Sequence, residues 1–473
     1  MSARTLRGHR AGFQEWVALA LCAAIAAGVT VAVAGPTAGV ALIVGLLTLA
    51  GAIAAPGIVL AAYLLIAFYK GALQVYSPID ITFYLALANA AQIVPLLIDR
   101  RERHVSGRGI VLWLSLGILV LAGVLYSPDQ SLALGKAATY WSLVILPVVP
   151  AAMRIGADPR HVRQFLWTFF AMGIATVVIG LAQLSGSDRL AVLGMNTIQM
   201  SRAALLVPLL GIVFVLPERR LLASMVAVIA IPASFVVAIA SGSRGPLLMF
   251  LVIGAVGAIA YFARSHAVQW RLVGGVAGLA LASVVVISMA APSLPAVGRF
   301  TLLEDFVQST LAGDQEVAGG DTSATARLQL YQLAIETFED HPLIGTGTGG
   351  FETVSLAAMG PEANTYPHNA ILQVGAELGL LGLAVFLGTL MVGLFRPLPK
   401  GYTGLAVRAL FLFYILNAMV SGDIFADRET LGILFLILAI EAPGAATALT
   451  GTKTSQVPAS PASRRATHLQ PWI

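Results

Sequence analysis

The sequence predicts an all-α fold, a polytopic transmembrane helix bundle of about 12–14 spans with one long non-cytoplasmic loop that contains an amphipathic helix. Composition is the first observation behind this prediction. Hydrophobic residues make up 58% of the 473-residue chain and charged residues only 11%, whereas a soluble domain carries about 25% charged residues. A water-soluble fold of this length could not bury so much apolar surface, so its solvent must be lipid.

The second observation is the recurrence of apolar runs of roughly 15–25 residues, the length that crosses a bilayer as a helix. The first run follows Arg4, Arg7 and Arg10 and is interpreted as a span rather than a signal peptide, because another apolar run follows at once. The segment 36–69 also fits a hairpin or a re-entrant pair. The predicted spans lie near residues 14–34, 36–55, 56–69, 81–98, 109–126, 137–153, 164–184, 203–217, 221–240, 246–263, 272–292, 370–394, 409–420 and 430–446.

The third observation is the distribution of basic residues. If the N-terminus is cytoplasmic and the spans alternate, 20 of the 28 Lys and Arg residues fall in cytoplasmic segments. The positive-inside rule therefore supports this orientation and predicts that both termini are cytoplasmic. The small net charge of +5 reflects topology and does not indicate nucleic-acid binding.

The spans and loops divide the chain into four predicted regions. Transmembrane helices 1–11 occupy residues 1–292, a long loop on the far side of the membrane occupies 293–369, further transmembrane helices occupy 370–446, and 447–473 form a disordered cytoplasmic tail. The loop holds ten acidic and two basic residues. Within it, residues 322–340 have the periodicity of an amphipathic helix. Its predicted apolar side consists of Leu328, Tyr331, Ile335 and Phe338.

Three arginines on the predicted non-cytoplasmic side of the membrane are candidates for binding an anion. Arg244 follows the tight turn Ser241-Gly242-Ser243, and Arg202 opens another span at the same predicted depth. Arginine can hold a diphosphate through bidentate hydrogen bonds, although both residues also fit simple anchoring at the membrane interface. Arg327, on the amphipathic helix, is a third candidate that equally fits a surface charge. Ser243 is expected to support Arg244; a serine-hydrolase elbow is rejected, since position 241 is not glycine.

His368 is the candidate general base. It follows Tyr366 and Pro367 where the long loop enters a span, and the proline is expected to start the helix so that the histidine lies on its first turn. A capping or interfacial role is the alternative for His368. Asn369 is expected to support this junction, and Glu377, a carboxylate inside the following apolar span, is expected to pair with an arginine or to fix helix packing.

Other motifs carry less chemistry. The single cysteine, Cys22, cannot form an internal disulfide, and no metal-ligand spacing occurs, so no metal site and no cofactor are predicted. The glycine-rich segment 345–350 contains GxGxxG but lacks a preceding strand. It is interpreted as a flexible turn whose backbone can approach a ligand closely.

Taken in order, SGSRGP at 241–246, the long loop with its Arg-bearing helix, HPLIGTGTGGF at 341–351 and HNAILQVGAELGLLG at 368–382 resemble the O-antigen ligase and polymerase superfamily of bacterial membrane proteins. The resemblance covers roughly residues 196–425 and implies a GT-C-type glycosyltransferase in the inner membrane. Its donor would be an undecaprenyl diphosphate-linked glycan, used on the periplasmic face without metal or cofactor. Arg202 and Arg244 would then bind the diphosphate, and His368 would activate the hydroxyl of a glycan or lipid acceptor.

Alternative functions remain open at this stage. A polymerase differs from a ligase only in its acceptor, a lipid-linked glycan. A transporter or flippase of lipid-linked glycans would require ionisable residues near the middle of the bilayer and helices broken in symmetric halves. A membrane scaffold would tolerate substitution of both Arg244 and His368. The clustering of charged candidates at one interface favours the transferase, with a ligase as the first choice.

Overall fold

The structure, a computed structural model, describes residues 36–71, 80–98, 107–184, 190, 195–264, 322–360 and 366–440. Across these ranges the chain forms helices joined by turns, without a strand. Seven described helices are long and apolar enough to cross a membrane, and four further apolar helices are shorter. The predicted all-α polytopic fold is therefore confirmed. The predicted spans 14–34 and 272–292, the loop segment 293–321 and the tail 447–473 lie outside the described residues.

The first eight described helices lie before residue 185 and form the N-terminal half of the bundle. Aspartates begin several of them; for example, the Asp129 side chain accepts a hydrogen bond from the Leu132 amide. These helices are α1 (Pro36–Ala54), α2 (Pro56–Leu65), α3 (Ile81–Ala90), α4 (Ile93–Ile98), α5 (Gly107–Val124), α6 (Gln130–Tyr140), α7 (Leu146–Ala157) and α8 (Pro159–Ala182).

The remaining eight described helices include the region of the sequence motifs. Asn196 and Gln199 form a reciprocal capping box at the start of α9. These helices are α9 (Thr197–Leu210), α10 (Leu221–Ala240), α11 (Arg244–Arg264), α12 (Thr322–Asp340), α13 (Gly350–Met359), α14 (Ala370–Phe395), α15 (Tyr402–Ser421) and α16 (Arg428–Ala439).

Several spans differ in length from the prediction. Helices α6 and α7 are joined by a π-helical segment into one span, Gln130–Ala157, where residues 137–153 were expected. Helix α15 starts at Tyr402 rather than near 409. The predicted span 56–69 is only α2 and a 3₁₀ turn, 13 residues that are shorter than a bilayer crossing. Only the start of the Gln130–Ala157 span is set by a polar cap, the Asp129 side chain, which hydropathy ignores.

Helix α14 is broken at Gly379, whose φ of 63° and ψ of −160° interrupt its hydrogen bonds. The segment 342–347 supplies the hydrogen-bond partners for the backbone groups that the break leaves unpaired. Leu380 and Leu381 donate their amides to the carbonyls of Pro342 and Leu343, at 2.8 and 3.2 Å. In return, Thr346 and Gly347 donate to the carbonyls of residues 376 and 377. Non-helical backbone inside a span is tolerated only when protein groups satisfy it in this way.

The glycine-rich segment 345–350 is therefore a packing element. A Cβ atom on Gly345 would lie 2.3 Å from the backbone of Glu377, and one on Gly347 would lie 2.6 Å from the carbonyl oxygen of Gly123. Both glycines also have positive φ. The expectation of a flexible turn that approaches a ligand is thus corrected, because this backbone approaches α5 and α14 instead.

The predicted amphipathic helix is present as α12, but its buried side differs from the expected one. Leu330 and Ala334 are buried in a small cluster with Phe351 and Ala376, so that α12 covers α13 and the first half of α14. Leu328 and Ile335, assigned to the apolar side from the sequence, are 50% and 47% exposed. The other two predicted residues, Tyr331 and Phe338, are half-buried, so the helical period was predicted correctly and the buried side of α12 is rotated from the predicted one.

Candidate functional site

The site lies at one end of the bundle, where helices α9, α11 and α14 begin and α15 ends. The opposite end holds arginines that bind backbone carbonyls: Arg154 donates to residues 52 and 53, and Arg396 donates to Ile440. The candidate residues Arg202, Arg244 and His368 lie instead at or near the beginnings of α9, α11 and α14, at the end of the bundle that holds the site.

Arg202 lies in the second turn of α9 and is buried, with 9% of its surface exposed. Its Nη2 donates to the carbonyls of Asn417 and Ser421, each at 3.2 Å. These two bonds fix the guanidinium against the last turn of α15. Its Nε has no hydrogen-bond partner among the described residues, so the group retains an unused donor.

Arg244 is the first residue of α11, and the turn before it is well defined. Gly242 has a φ of 68°, and the Ser243 amide donates to Oγ of Ser241 at 3.2 Å. The next residue, Gly245, lies against Val420 near the end of α15. Since Arg202 binds the Ser421 carbonyl, the structure brings the turns that carry these two arginines to the same helix end. Ser243 is buried and shapes the turn.

His368 lies between the loop and α14 and is 6% exposed. Its φ of 56° is in the left-handed region, which non-glycine residues rarely occupy. The helix begins two residues later, and Asn369 caps it by accepting the amides of Ile371 and Leu372. The expectation that His368 lies on the first helical turn is therefore wrong, because the asparagine is the better N-cap residue.

The His368 imidazole has unusual surroundings for a base. Neither ring nitrogen has a hydrogen-bond partner among the described residues. Burial, and secondly the charge of Arg327, lower the pKa of His368 from 6.5 to about 4, while Asp423 opposes the shift. The imidazole is therefore neutral at pH 7 and can accept a proton.

Arg327 faces this histidine from the first turns of α12. It is half-buried, and its charge acts on both His368 and Tyr366. Arg202 and Lys136 also act on Tyr366, and all three cations oppose the rise in the Tyr366 pKa that burial and Asp423 cause. Tyr366 thus marks a point where three cationic side chains, from α6, α9 and α12, converge.

Asp423, in the turn after α15, supplies the negative charge in this cluster. Its Oδ1 accepts from Nε2 of Gln373 at 2.9 Å and from the Phe425 amide at 3.2 Å. Oε1 of Gln373 in turn accepts from the Ile424 amide at 3.0 Å. Gln373 of α14 therefore holds the Asp423 carboxylate through its Nε2 and the adjoining backbone through its Oε1.

Glu377 lies deeper, and of its two predicted roles its contacts fit helix packing rather than pairing with an arginine. Its Oε2 accepts from the Gly349 amide, and the cation acting on it is Lys136. Lys136 forms an ion pair of 2.7 Å with Glu352 and lies 5.0 Å from the Phe425 ring centroid. These contacts join α6, α13 and α14 beneath the site, so Glu377 and Lys136 support its walls.

Sequence reasoning did not rank Lys136, Gln373 or Asp423, and it used Tyr366 only as part of a motif. One available signal was the charge density of the segment Gly422–Glu429, which is high for a region between two apolar helices. Nothing in the sequence indicated that Gln373 would contact this segment, 50 residues away.

Residues 229–387 match the family described as O-antigen ligase. The matched region runs from α10 into α14 and includes Arg244, Arg327, His368 and Glu377, whereas Arg202 and Asp423 lie outside it. No curated protein sequence matches the chain. The chain therefore carries a region that matches the O-antigen ligase family, over about a third of its length, and this match confirms the resemblance seen in the sequence motifs.

Proposed function

We propose that this protein transfers a glycan from undecaprenyl diphosphate, or a closely similar polyprenyl diphosphate, to an acceptor hydroxyl on the periplasmic face of the bacterial inner membrane. The observation that carries this proposal is the buried imidazole of His368, neutral and free of hydrogen bonds among the described residues, beside the charge of Arg327. A base for a hydroxyl and a cation for a diphosphate are the two groups that this transfer needs.

The donor diphosphate is bound by arginines. Arg202 and Arg327 both act on Tyr366 and so lie near the base, while Arg244 begins α11 beside the end of α15. Their charges neutralise the diphosphate oxygens and improve the leaving group, so the chemistry proposed here needs neither a metal ion nor a cofactor. The polyprenyl chain of the donor remains in the lipid bilayer.

The reaction is a displacement at the anomeric carbon of the donor. The acceptor oxygen forms a bond to this carbon, and the bond from the carbon to the diphosphate oxygen breaks with its electron pair. His368 takes the acceptor proton, which then passes to the released diphosphate. Attack opposite the leaving group inverts the anomeric configuration, so a product that retains the donor's configuration would contradict this step.

Donor binding would also change the pKa of His368. In the free protein, Arg327 lowers the His368 pKa. A bound diphosphate brings negative charge to the same cations, which raises this pKa and makes the imidazole a stronger proton acceptor when substrate is present. Asp423 acts in the same direction and stabilises the imidazolium as it forms.

The periplasmic location is supported by the distribution of basic residues. Most Lys and Arg residues belong to segments that the positive-inside rule assigns to the cytoplasm. The proposed site lies at the other end of the same helices. The end opposite the site includes Arg154, Arg396 and Lys400.

The test is a transfer reaction with purified protein. Undecaprenyl diphosphate-linked oligosaccharide is mixed with lipid A core, with a second lipid-linked glycan, or with no acceptor, and both released undecaprenyl diphosphate and the enlarged glycan are measured. His368→Ala, Arg244→Ala, Arg202→Ala and Arg327→Ala are compared with the native chain. Lys400→Ala is the matched control, since Lys400 is exposed and lies at the opposite end.

Acceptor-dependent release of the diphosphate, lost in His368→Ala and retained in Lys400→Ala, is the expected result. A lipid A core product identifies a ligase, and extension of the lipid-linked glycan identifies a polymerase. Full turnover in folded His368→Ala would overturn the proposal. Movement of labelled donor across liposome membranes without diphosphate release would also overturn it and indicate a transporter.

A further inference from the structure

The His368 imidazole lacks the partner that normally orients a general base. In most such bases a carboxylate or carbonyl accepts the second N–H of the ring and fixes both tautomer and direction. Here both ring nitrogens are without a hydrogen-bond partner among the described residues, although His368 is buried, with 6% of its surface exposed. Something other than a hydrogen bond must therefore hold the ring in place.

The Tyr366 ring is in position to do this. The centroids of the Tyr366 and His368 rings lie 4.2 Å apart, with an angle of 51° between their planes. The residue between them, Pro367, has a φ fixed by its own ring, and His368 takes a φ of 56°. This strained geometry folds the two rings onto each other across a single residue.

We propose that the ring of Tyr366 is a positioning element for the base, holding the His368 imidazole by a tilted ring contact and shielding it from water, while the tyrosine hydroxyl is dispensable for this role. The inference deepens the proposed function and rests on it, since it assumes that His368 accepts the acceptor proton. Tyr366 would not itself exchange a proton with substrate.

Four charged groups act on Tyr366, and two of them also act on His368. Arg327 from α12 and Asp423 from the turn after α15 act on both residues, whereas Arg202 from α9 and Lys136 from α6 act on Tyr366. Removal of the tyrosine ring leaves all four charged groups in place. It would, however, let water reach the imidazole, so the burial that lowers the His368 pKa would be relieved.

The experiment compares Tyr366→Ala, Tyr366→Phe and His368→Ala in the full-length protein, with Tyr402→Ala as the control. Tyr402 is 53% exposed at the start of α15, far from the site. Tyr366→Ala should lower kcat by about 10- to 100-fold with little change in the donor KM, because the base is misplaced while the arginines remain. Tyr366→Phe should restore most of the turnover that Tyr366→Ala loses.

A second measurement does not depend on activity. In protein labelled with 15N-histidine, the His368 signal is assigned by its absence from His368→Ala, and its pKa is measured by titration. Tyr366→Phe should keep the low pKa of the native chain. Tyr366→Ala should move the pKa upward toward 6.5, a shift that a purely structural role elsewhere in the fold would not produce.

The outcomes separate this inference from the proposed function. If His368→Ala is inactive but Tyr366→Ala retains native kcat and a native His368 pKa, the positioning role is refuted and the transferase proposal survives. If His368→Ala is fully active, the proposed function itself fails. Equal loss in Tyr366→Phe and Tyr366→Ala would assign the role to the hydroxyl and overturn the inference. Should Tyr366→Ala not fold, Tyr366→Leu gives the same comparison with greater side-chain volume.

Discussion

The Glu377 carboxylate accepts a hydrogen bond of 2.6 Å from the Gly349 amide, across 28 residues of sequence. Gly349 is the N-cap of α13, so the buried Glu377 carboxyl group lies at the N-terminus of that helix. Helix dipole and hydrogen bond both favour this arrangement. The contact holds the glycine-rich segment against α14 immediately before its break at Gly379.

This contact predicts a structural phenotype for Glu377. Glu377→Ala should destabilise the protein by about 2–4 kcal/mol, through the lost charged hydrogen bond and the cavity left behind. Glu377→Gln keeps an acceptor for Gly349 and should lose less. Thermal unfolding in detergent measures the effect, with exposed Glu339→Ala as the control. A melting temperature for Glu377→Ala equal to that of the control would show that the bond contributes nothing.

The low His368 pKa predicts an unusual pH profile. The base must be neutral, so kcat/KM should persist through pH 5–6 and fall only as the pH drops through about 4. An unperturbed histidine would lose half its activity near pH 6.5. Since bound diphosphate raises the pKa, the acid limb of kcat should lie at higher pH than that of kcat/KM. Coincident limbs near 6.5 would contradict the buried, cation-facing environment.

Arg327 should affect both the binding of the donor diphosphate and the pKa of His368. Arg327→Ala should lower kcat/KM about 10- to 100-fold, the value of a charged hydrogen bond of about 1.5–3 kcal/mol. It should also raise the His368 pKa, because a nearby positive charge is lost, and thereby shift the acid limb upward. Arg327→Lys keeps the charge and should preserve the pH limb while still losing bidentate contact. If Arg327→Ala changes neither quantity, Arg327 is a surface charge.

The break in α14 predicts a contrast between two glycines on one helix. A Cβ at Gly379 would lie 2.4 Å from the Leu343 backbone, and φ there is 63°. Gly379→Ala should therefore prevent normal folding or lower the melting temperature severely. Gly388 has no atom within 4 Å of a built Cβ, so Gly388→Ala should be neutral or stabilise by up to about 1 kcal/mol. Equal melting temperatures for the two variants would contradict the observed packing at residue 379.

The sequence alone predicted that the chain forms helices in lipid and which candidate residues share one end of the bundle. Low charge content and long apolar runs required helices in lipid, since lipid cannot hydrogen-bond an exposed backbone. The same pattern predicted that Arg202, Arg244 and His368 lie at one end of the bundle. The order of its motifs indicated the O-antigen ligase family, which the match over residues 229–387 confirms.

The tertiary structure decided which residues meet. Three contacts depend on the exact rotation of a helix or on a residue in the left-handed region. They are the hydrogen bond of Gln373 to Asp423, the burial of Leu330 rather than Leu328, and the tilted ring contact of Tyr366 with His368. Hydropathy averages over a turn and cannot detect these rotations. Short-range interactions such as hydrogen bonds and ring contacts vanish within a few ångströms, so only the packed fold determines the partners of each polar side chain.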